Sequence, residues 1–319
     1  MKKYGKLLPL FLAAPLLMSC GNKKVEQPKF ADKGNKVEYS EFTEKITKAF
    51  EECEYEKEEK AKSYELKSVE KTSEKTTTTR SNKVIDSSET FDTDEGSALF
   101  DATNLRIVSK QKSTHAKAVK NANESTVEAE TVDNDDAYQK VANKDKEFVA
   151  FVDNKEKTYQ PMDEVTAENK AEDVFDMYGK MMATSFESTL FMLDMGYGME
   201  TEAMKEKYSF YVNEKVFTIE IDKSTEKTEE KDMEDKVLYE ETVTNKKIYQ
   251  ADLTDGAIAW RTWSEEKTVR EFKNFYGGFI AGDVWVTEEL ESYEETSTRK
   301  EVKTKEVALD KYTAIGFEA

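Results

Sequence analysis

Alternation is the feature that most constrains this fold. Tyr208, Phe210 and Val212, then Phe217, Ile219 and Ile221, take every second place on either side of Asn213-Glu214. Successive side chains of a strand point to opposite faces, so each run presents one apolar face, and the short link makes the runs antiparallel neighbours. Phe148-Val149-Ala150-Phe151-Val152, the turn signal Asp153-Asn154 and the return Lys157–Gln160 read as another hairpin, halted by Pro161. Val237, Tyr239 and Val243 begin a long strand that Tyr249, Ala251 and Leu253 continue, and Asp255-Gly256 turns it back into Ile258, Trp260 and Thr262. Val284, Val286 and residues 293–307 supply the last strands. Parallel pairing needs long crossovers, so links this short imply an antiparallel sheet.

Two stretches carry the helical period instead. Behind Ser40 as a cap, Phe42, Ile46, Ala49, Phe50 and Cys53 form one stripe of a helix over 40–54. Over 167–195, Val174, Tyr178, Met181, Phe186, Leu190 and Leu193 share a face, and Gly196-Tyr197-Gly198 closes the helix. Residues 63–80, dense in Thr, Lys and Glu, read as a long strand or hairpin with a polar outer face, a disordered loop being the alternative. Residues 81–98 and 121–137 read as loops, with a strand near 104–112 between them. The expected class is α+β: a curved antiparallel sheet, an unclosed half-barrel of long hairpins, with two main helices packed on its concave face. This makes one domain over 37–319; division into helix-plus-sheet halves, 37–165 and 166–319, is the alternative, without a residue-level repeat to support duplication.

The first 36 residues read as an address. Lys2, Lys3 and Lys6 precede an apolar run over 7–18, which is shorter than the roughly 20 residues a membrane-spanning helix needs. The run ends in Leu17-Met18-Ser19-Cys20-Gly21, which resembles the lipobox of bacterial lipoprotein signals. The resemblance implies cleavage after residue 19 and fatty acylation of Cys20, whose chains, at roughly 0.8 kcal/mol per buried methylene, anchor a protein to the outer face of the cell membrane. Residues 20–36 are then a lipidated N-terminus and flexible tether; a coil of that length holds the body about 20–25 Å from the lipid.

Loss of three lysines with the leader takes the formal charge from −19 to −22. So acidic a surface disfavours nucleic acid and anionic headgroups as partners. Seventeen Phe, fifteen Tyr and three Trp still suffice for a core, which argues against wholesale disorder. With Cys20 committed to lipid, Cys53 stands alone, so no intramolecular disulfide is available, and its place on the helical stripe makes it a small core residue.

The segments that bear on ligands are two. Residues 177–199 carry Met177, Met181, Met182, Met192, Met195 and Met199 beside Phe186, Leu190, Phe191 and Tyr197. Flexible thioethers suit irregular apolar ligands, and equally the core side of a helix. Between two strands, residues 272–282 join aromatics, Phe279 among them, to three glycines, as a lid or a tightly turned buried link. Met177, Met181, Met182, Phe186, Leu190 and Phe279 are therefore the candidate ligand residues.

Catalysis is not expected. His115 is the single histidine, in a polar stretch, and no nucleophile elbow, phosphate loop or paired-cysteine motif occurs. A glycosidase-like carboxylate pair cannot be singled out among so many acids. Asp92–Gly96 and Asp133–Asp136 crowd oxygens without continuing into a calcium loop, so no metal and no cofactor is expected. The order of elements over about 38–315, with the lipobox, resembles the superfamily of lipoprotein carriers and glycolipid-carrying lipoproteins. That resemblance implies an unclosed barrel around a lipid-sized cavity, hence a lipid or apolar small molecule as ligand. The alternative is a structural or interaction lipoprotein that contacts another envelope protein and has no ligand cavity.

Overall fold

The computed structural model describes residues 24–52, 63–121, 125–166, 170, 175, 191–254, 257–273, 284–305 and 308–317. Its strands are β1 (Asn35–Val37), β2 (Tyr64–Arg80), β3 (Lys83–Asp101), β4 (Arg106–Lys120), β5 (Ser125–Asn143), β6 (Lys146–Asp153) and β7 (Thr158–Glu164), then β8 (Tyr208–Asn213), β9 (Val216–Asp222), β10 (Thr225–Lys231), β11 (Val237–Asp252), β12 (Ile258–Phe272), β13 (Trp285–Glu301) and β14 (Thr313–Ala314). Helices are minor: α1 (Tyr39–Glu52), a helical stretch over 191–199, and the single turn α2 (Glu202–Lys205).

The strands form one large, curved, unclosed and mostly antiparallel sheet in the order β1-β8-β9-β11-β12-β13-β2-β3-β4-β5-β6-β7-β14, with β10 beside the outer half of β11. Two meanders, β2 to β7 and β8 to β13, are thus fused where the last strand of the second lies along the first strand of the first. That seam pairs Trp285–Glu301 with Tyr64–Arg80 in unbroken register.

The hairpins follow from local chemistry. Ser81 and Asn82 both have positive φ, the requirement of the two-residue turn whose twist matches paired strands. Residues 81–98 and 121–137, expected as loops, are therefore mostly strand: β3 and β5 run long because Thr and Ser tolerate the pleat and no proline interrupts them. The strand expected near 104–112 continues to Lys120. Pro161 does not halt β7; it pairs with Ala150 beside a register shift that absorbs its missing N–H. The glycines at 196 and 198 do not end the helical stretch, which runs through 199.

Side-chain alternation gives the sheet two faces. On the first, the helical face, α1 buries Phe42, Ile46, Ala49 and Phe50 against Phe210, Phe217, Ile219, Ile221, Ala251, Leu253, Ile258 and Trp260. Tyr39 of α1, Tyr197 and Phe210 meet ring to ring at 4.0–5.3 Å, which docks the stretch 191–199 onto the same core. Phe175 packs with Tyr64 and Phe100 on the same face of the other meander.

Among the described residues the opposite face has no helix. Residues 24–34, expected to hang free as a tether, instead cross it as a strap. Trp263 Nε1 donates to Val25 O (3.4 Å), Val25 N to Ser292 Oγ (2.9 Å) and Arg261 to Lys29 O (2.8 Å). Gln250, buried, closes a reciprocal pair with Ala31, and Lys33 lies 4.0 Å over the Tyr211 ring while reaching Glu220. Gly34 ends the strap at φ +70°, where a Cβ would stand 2.5 Å from Val212 O; only glycine lets the chain turn there into β1. The C-terminal tail covers the other end of this face. Leu309 and Tyr312 pack on Val108, Ala137 and Val152, and buried Asp101 accepts from Thr304 Oγ1 (2.7 Å).

Core and ladder should separate on mutation. Phe42→Ala is expected to cost about 3–5 kcal/mol of unfolding free energy in urea titrations, while Thr77→Ala, at the outer end of β2, costs less than about 0.5 kcal/mol.

Candidate functional site

A groove of about 540 Å³ opens on the helical face where β13, β2, β3 and β4 run side by side. Its floor is made of small residues: Ser297 on β13, Ser68 on β2, Gly96 and Ala98 on β3, Ser109 on β4. Gly96 sits mid-strand directly opposite Ser68, and a Cβ there would lie 2.6 Å from Ser68 Oγ. A strand glycine normally weakens the sheet, so here it keeps the floor low. Trp260, buried, with Nε1 on Thr262 Oγ1 (2.9 Å), lines the end toward the α1 core.

Next to the floor stands a row of carboxylates. Glu295, Glu70 and Asp94 are direct cross-strand partners on β13, β2 and β3, and they share the helical face. Glu295 accepts from Tyr293 OH (3.3 Å) and Ser297 Oγ (3.1 Å). Partial burial, then the charges of Glu295 and Asp94, raise the Glu70 carboxyl above its ordinary value. Burial, with Glu295 and Glu70 beside it, also pushes the Tyr293 phenol up. Like charges in directly opposed positions destabilise a sheet. The row is therefore held at a cost, and a cation laid along it would relieve that cost.

Other acids are arranged in the same way. Asp92 and Asp94 share the helical face while Thr93 and Glu95 point through the sheet, and Asp133 and Asp135 oppose Asn134 and Asp136 likewise. A strand cannot fold its oxygens round one ion as a loop does, and no group of three metal-ligating side chains gathers among the described residues. His115 pairs with Asp92 across β3 and β4, exposed. A second depression, about 490 Å³, lies on the strap face and is lined by Lys67, Lys110, Lys112 and Lys155 with Glu95, Asp133 and Asp135.

Of the residues expected to bind ligand, Met177, Met181, Met182, Phe186, Leu190 and Phe279 lie outside the described residues, as do Cys20 and Cys53. The described end of the Met-rich segment has two sides. Leu193 and Tyr197 pack on the α1 core, whereas Phe191, Met192, Met195 and Met199 are 44–82% exposed. Sequence reasoning missed the groove because none of its residues forms a motif; the one signal was Gly96 within a proline-free run rich in Ser and Thr.

The Glu70 shift fixes the sign of a pH effect. A carboxyl whose folded-state value lies above its unfolded value destabilises the folded chain when ionised, a penalty present at neutral pH and absent below the unfolded value. Glu70→Gln should therefore stabilise at pH 7 by about 0.2–1 kcal/mol, with the gain vanishing in acid, as read from thermal melts across pH.

No protein-family model matches this chain, and no curated protein does. Among solved structures, the crystal structure of Pseudomonas aeruginosa OccK7 (OpdD) is matched over 76% of this chain and 100% of that one, at 7% identity and a TM-score of 0.19. Similarity at that level carries no argument about fold or function.

Proposed function

We propose that this chain is an extracytoplasmic lipoprotein, held at the outer face of the cell membrane by lipid on Cys20, whose groove binds a cationic segment of another envelope protein. One observation carries the reading: a small-residue trough runs beside three in-register carboxylates on the helical face, with Trp260 at its inner end. A lysine or arginine side chain laid there gains charge-assisted hydrogen bonds and screens the mutual repulsion of Glu70, Glu295 and Asp94. In this reading the sheet is a half-barrel whose hollow side is the helical face, with the two main helices inside it. The leader and the lipobox-like Leu17-Met18-Ser19-Cys20 support the location.

A second reading is favoured by a separate observation. Met192, Met195 and Met199, at helical spacing and exposed, form an adaptable apolar strip, as a carrier of a lipid or other apolar molecule needs. It predicts a stoichiometric lipid released by organic extraction of the purified protein, where the first reading predicts none.

The groove reading is tested with hexalysine, titrated at physiological ionic strength into the chain freed of its leader and lipid. Changing Glu70 and Glu295 together to Gln should weaken binding about fivefold, as expected for two exposed charge contacts. Changing Glu128 and Glu130 to Gln removes the same charge from the far part of β5 and should leave affinity nearly unaltered. Equal losses in the two variants, or no binding at all, would sink the proposal.

A further inference from the structure

We infer that the strap face lies against the lipid bilayer, so that the helical face and its groove point away from the membrane. The inference rests on the reading that Cys20 is acylated; what it adds is orientation.

The geometry is set by where the chain leaves the sheet. Lys24 Nζ reaches Glu265 at 2.8 Å and Val25 N donates to Ser292 Oγ at 2.9 Å, which fixes residues 24 and 25 over β12 and β13 on the strap face. Along the sheet, β12 and β13 are the fifth and sixth of thirteen strands, and Ser292, paired with Ser73, lies near mid-length of both β13 and β2. The anchor point is thus near the middle of the plate in both directions. At about 4.8 Å per strand and 3.3 Å per residue, the row through Ser292 ends roughly 14–19 Å away, at Asp222 on one side and Ala129 on the other, and the strand ends lie roughly 23–30 Å away.

From Cys20 to Lys24 there are four residue steps, a span of at most about 14 Å when fully extended. That length reaches at most to the nearest rim and cannot carry a lipidated Cys20 round it to the helical face. With residues 24–34 pinned across the sheet, the membrane is met by the face from which the strap departs. A free tether of the length expected from sequence would have left the body able to turn over; the strap removes that freedom.

Charge agrees with the placement. On the strap face Lys67, Lys71, Lys75, Lys110 and Lys112 stand among the acids and offset them, and in the 490 Å³ depression Lys110 and Lys155 pair with Asp135 and Asp133. Across the sheet, Glu70, Glu74, Asp94, Glu291 and Glu295 crowd the helical face, which an anionic headgroup layer repels. A bilayer therefore finds on the strap face the side of the protein that repels it less.

Gln111 and Lys112, consecutive and exposed on β4, report opposite faces. The full acylated chain, with Cys53 replaced by Ser and either Gln111→Cys or Lys112→Cys carrying a bimane label, is reconstituted in phosphatidylethanolamine and phosphatidylglycerol vesicles containing headgroup-nitroxide lipid. Quenching several-fold stronger at 112 than at 111 supports the inference. About thirty glycine and serine residues inserted between Asn22 and Lys23, with a root-mean-square span of roughly 30 Å, should reduce the difference. Acylated protein quenched equally at the two sites, or more at 111, overturns the orientation alone. A mass spectrum without a diacylglyceryl thioether on Cys20 overturns the anchoring reading, and the orientation with it.

Discussion

Everything in this architecture depends on the ladder between β13 and β2. It joins residues more than two hundred positions apart, from Tyr64 opposite Glu301 to Arg80 opposite Trp285. Without it the chain would be two meanders, each exposing a long unpaired edge to other chains. Each ladder hydrogen bond contributes only about 0.5–1.5 kcal/mol net, but closing so long a loop costs little more than closing one half as long. A seam of this length can therefore repay its own closure. Arg299 shows how the seam ties the cores together: nearly buried on β13, it stands 5.3 Å over the ring of Tyr64, itself in the Phe100 and Phe175 cluster.

The strands run past the core that starts them. Around Phe42 and around Phe100 the sheet buries apolar side chains, yet toward the other ends of β2, β3, β12 and β13 both faces are mostly polar, and Phe91, Val269, Phe272, Trp285 and Val286 there are only half-buried. There the sheet is held by main-chain bonds and by cross-strand ion pairs such as Arg270 with Glu241 and Glu289, and Lys267 with Glu288. Exposed pairs of that kind give at most about 1 kcal/mol each, so these ends belong to the part of the molecule that opens most easily. The groove lies between the packed end, where Trp260 lines it, and the polar end.

What the sequence made legible was whatever carried an apolar period. The β8–β9 hairpin, the β11–β12 pair and α1 follow from residues such as Phe210, Ile219 and Phe42, because one face of each is buried and burial writes itself into the spacing. The outer strands left no such record. Residues 84–95 and 125–135 are mostly polar, and their few apolar residues, Val84, Ile85, Phe91, Val127 and Val132, keep no alternation, so only the turn residues Ser81-Asn82 mark the hairpin. The strap was illegible for another reason. Its apolar residues, Val25 and Phe30, follow no period, and what holds it are hydrogen bonds with Gln250, Arg261, Trp263 and Ser292, residues that lie more than two hundred positions downstream. The carboxylate row belongs to this class as well, since Glu70, Asp94 and Glu295 become neighbours only through register.

The chain covers part of the edges of its own sheet with its ends. β1, three residues long, covers the outer side of β8, and β14, two residues long, pairs in parallel with β7. Both capping strands extend from the segments that cover the strap face, so edge protection and second-layer packing are one device. The same segments explain how a sheet with so few helices buries its second side: Val25 and Trp263 at one end, Leu309 and Tyr312 at the other, stand in for a helical layer. Closing that side with chain termini leaves the helical face free to gather acids. There Glu70 stands between Glu295 and Asp94, and the row of like charges repels its own members.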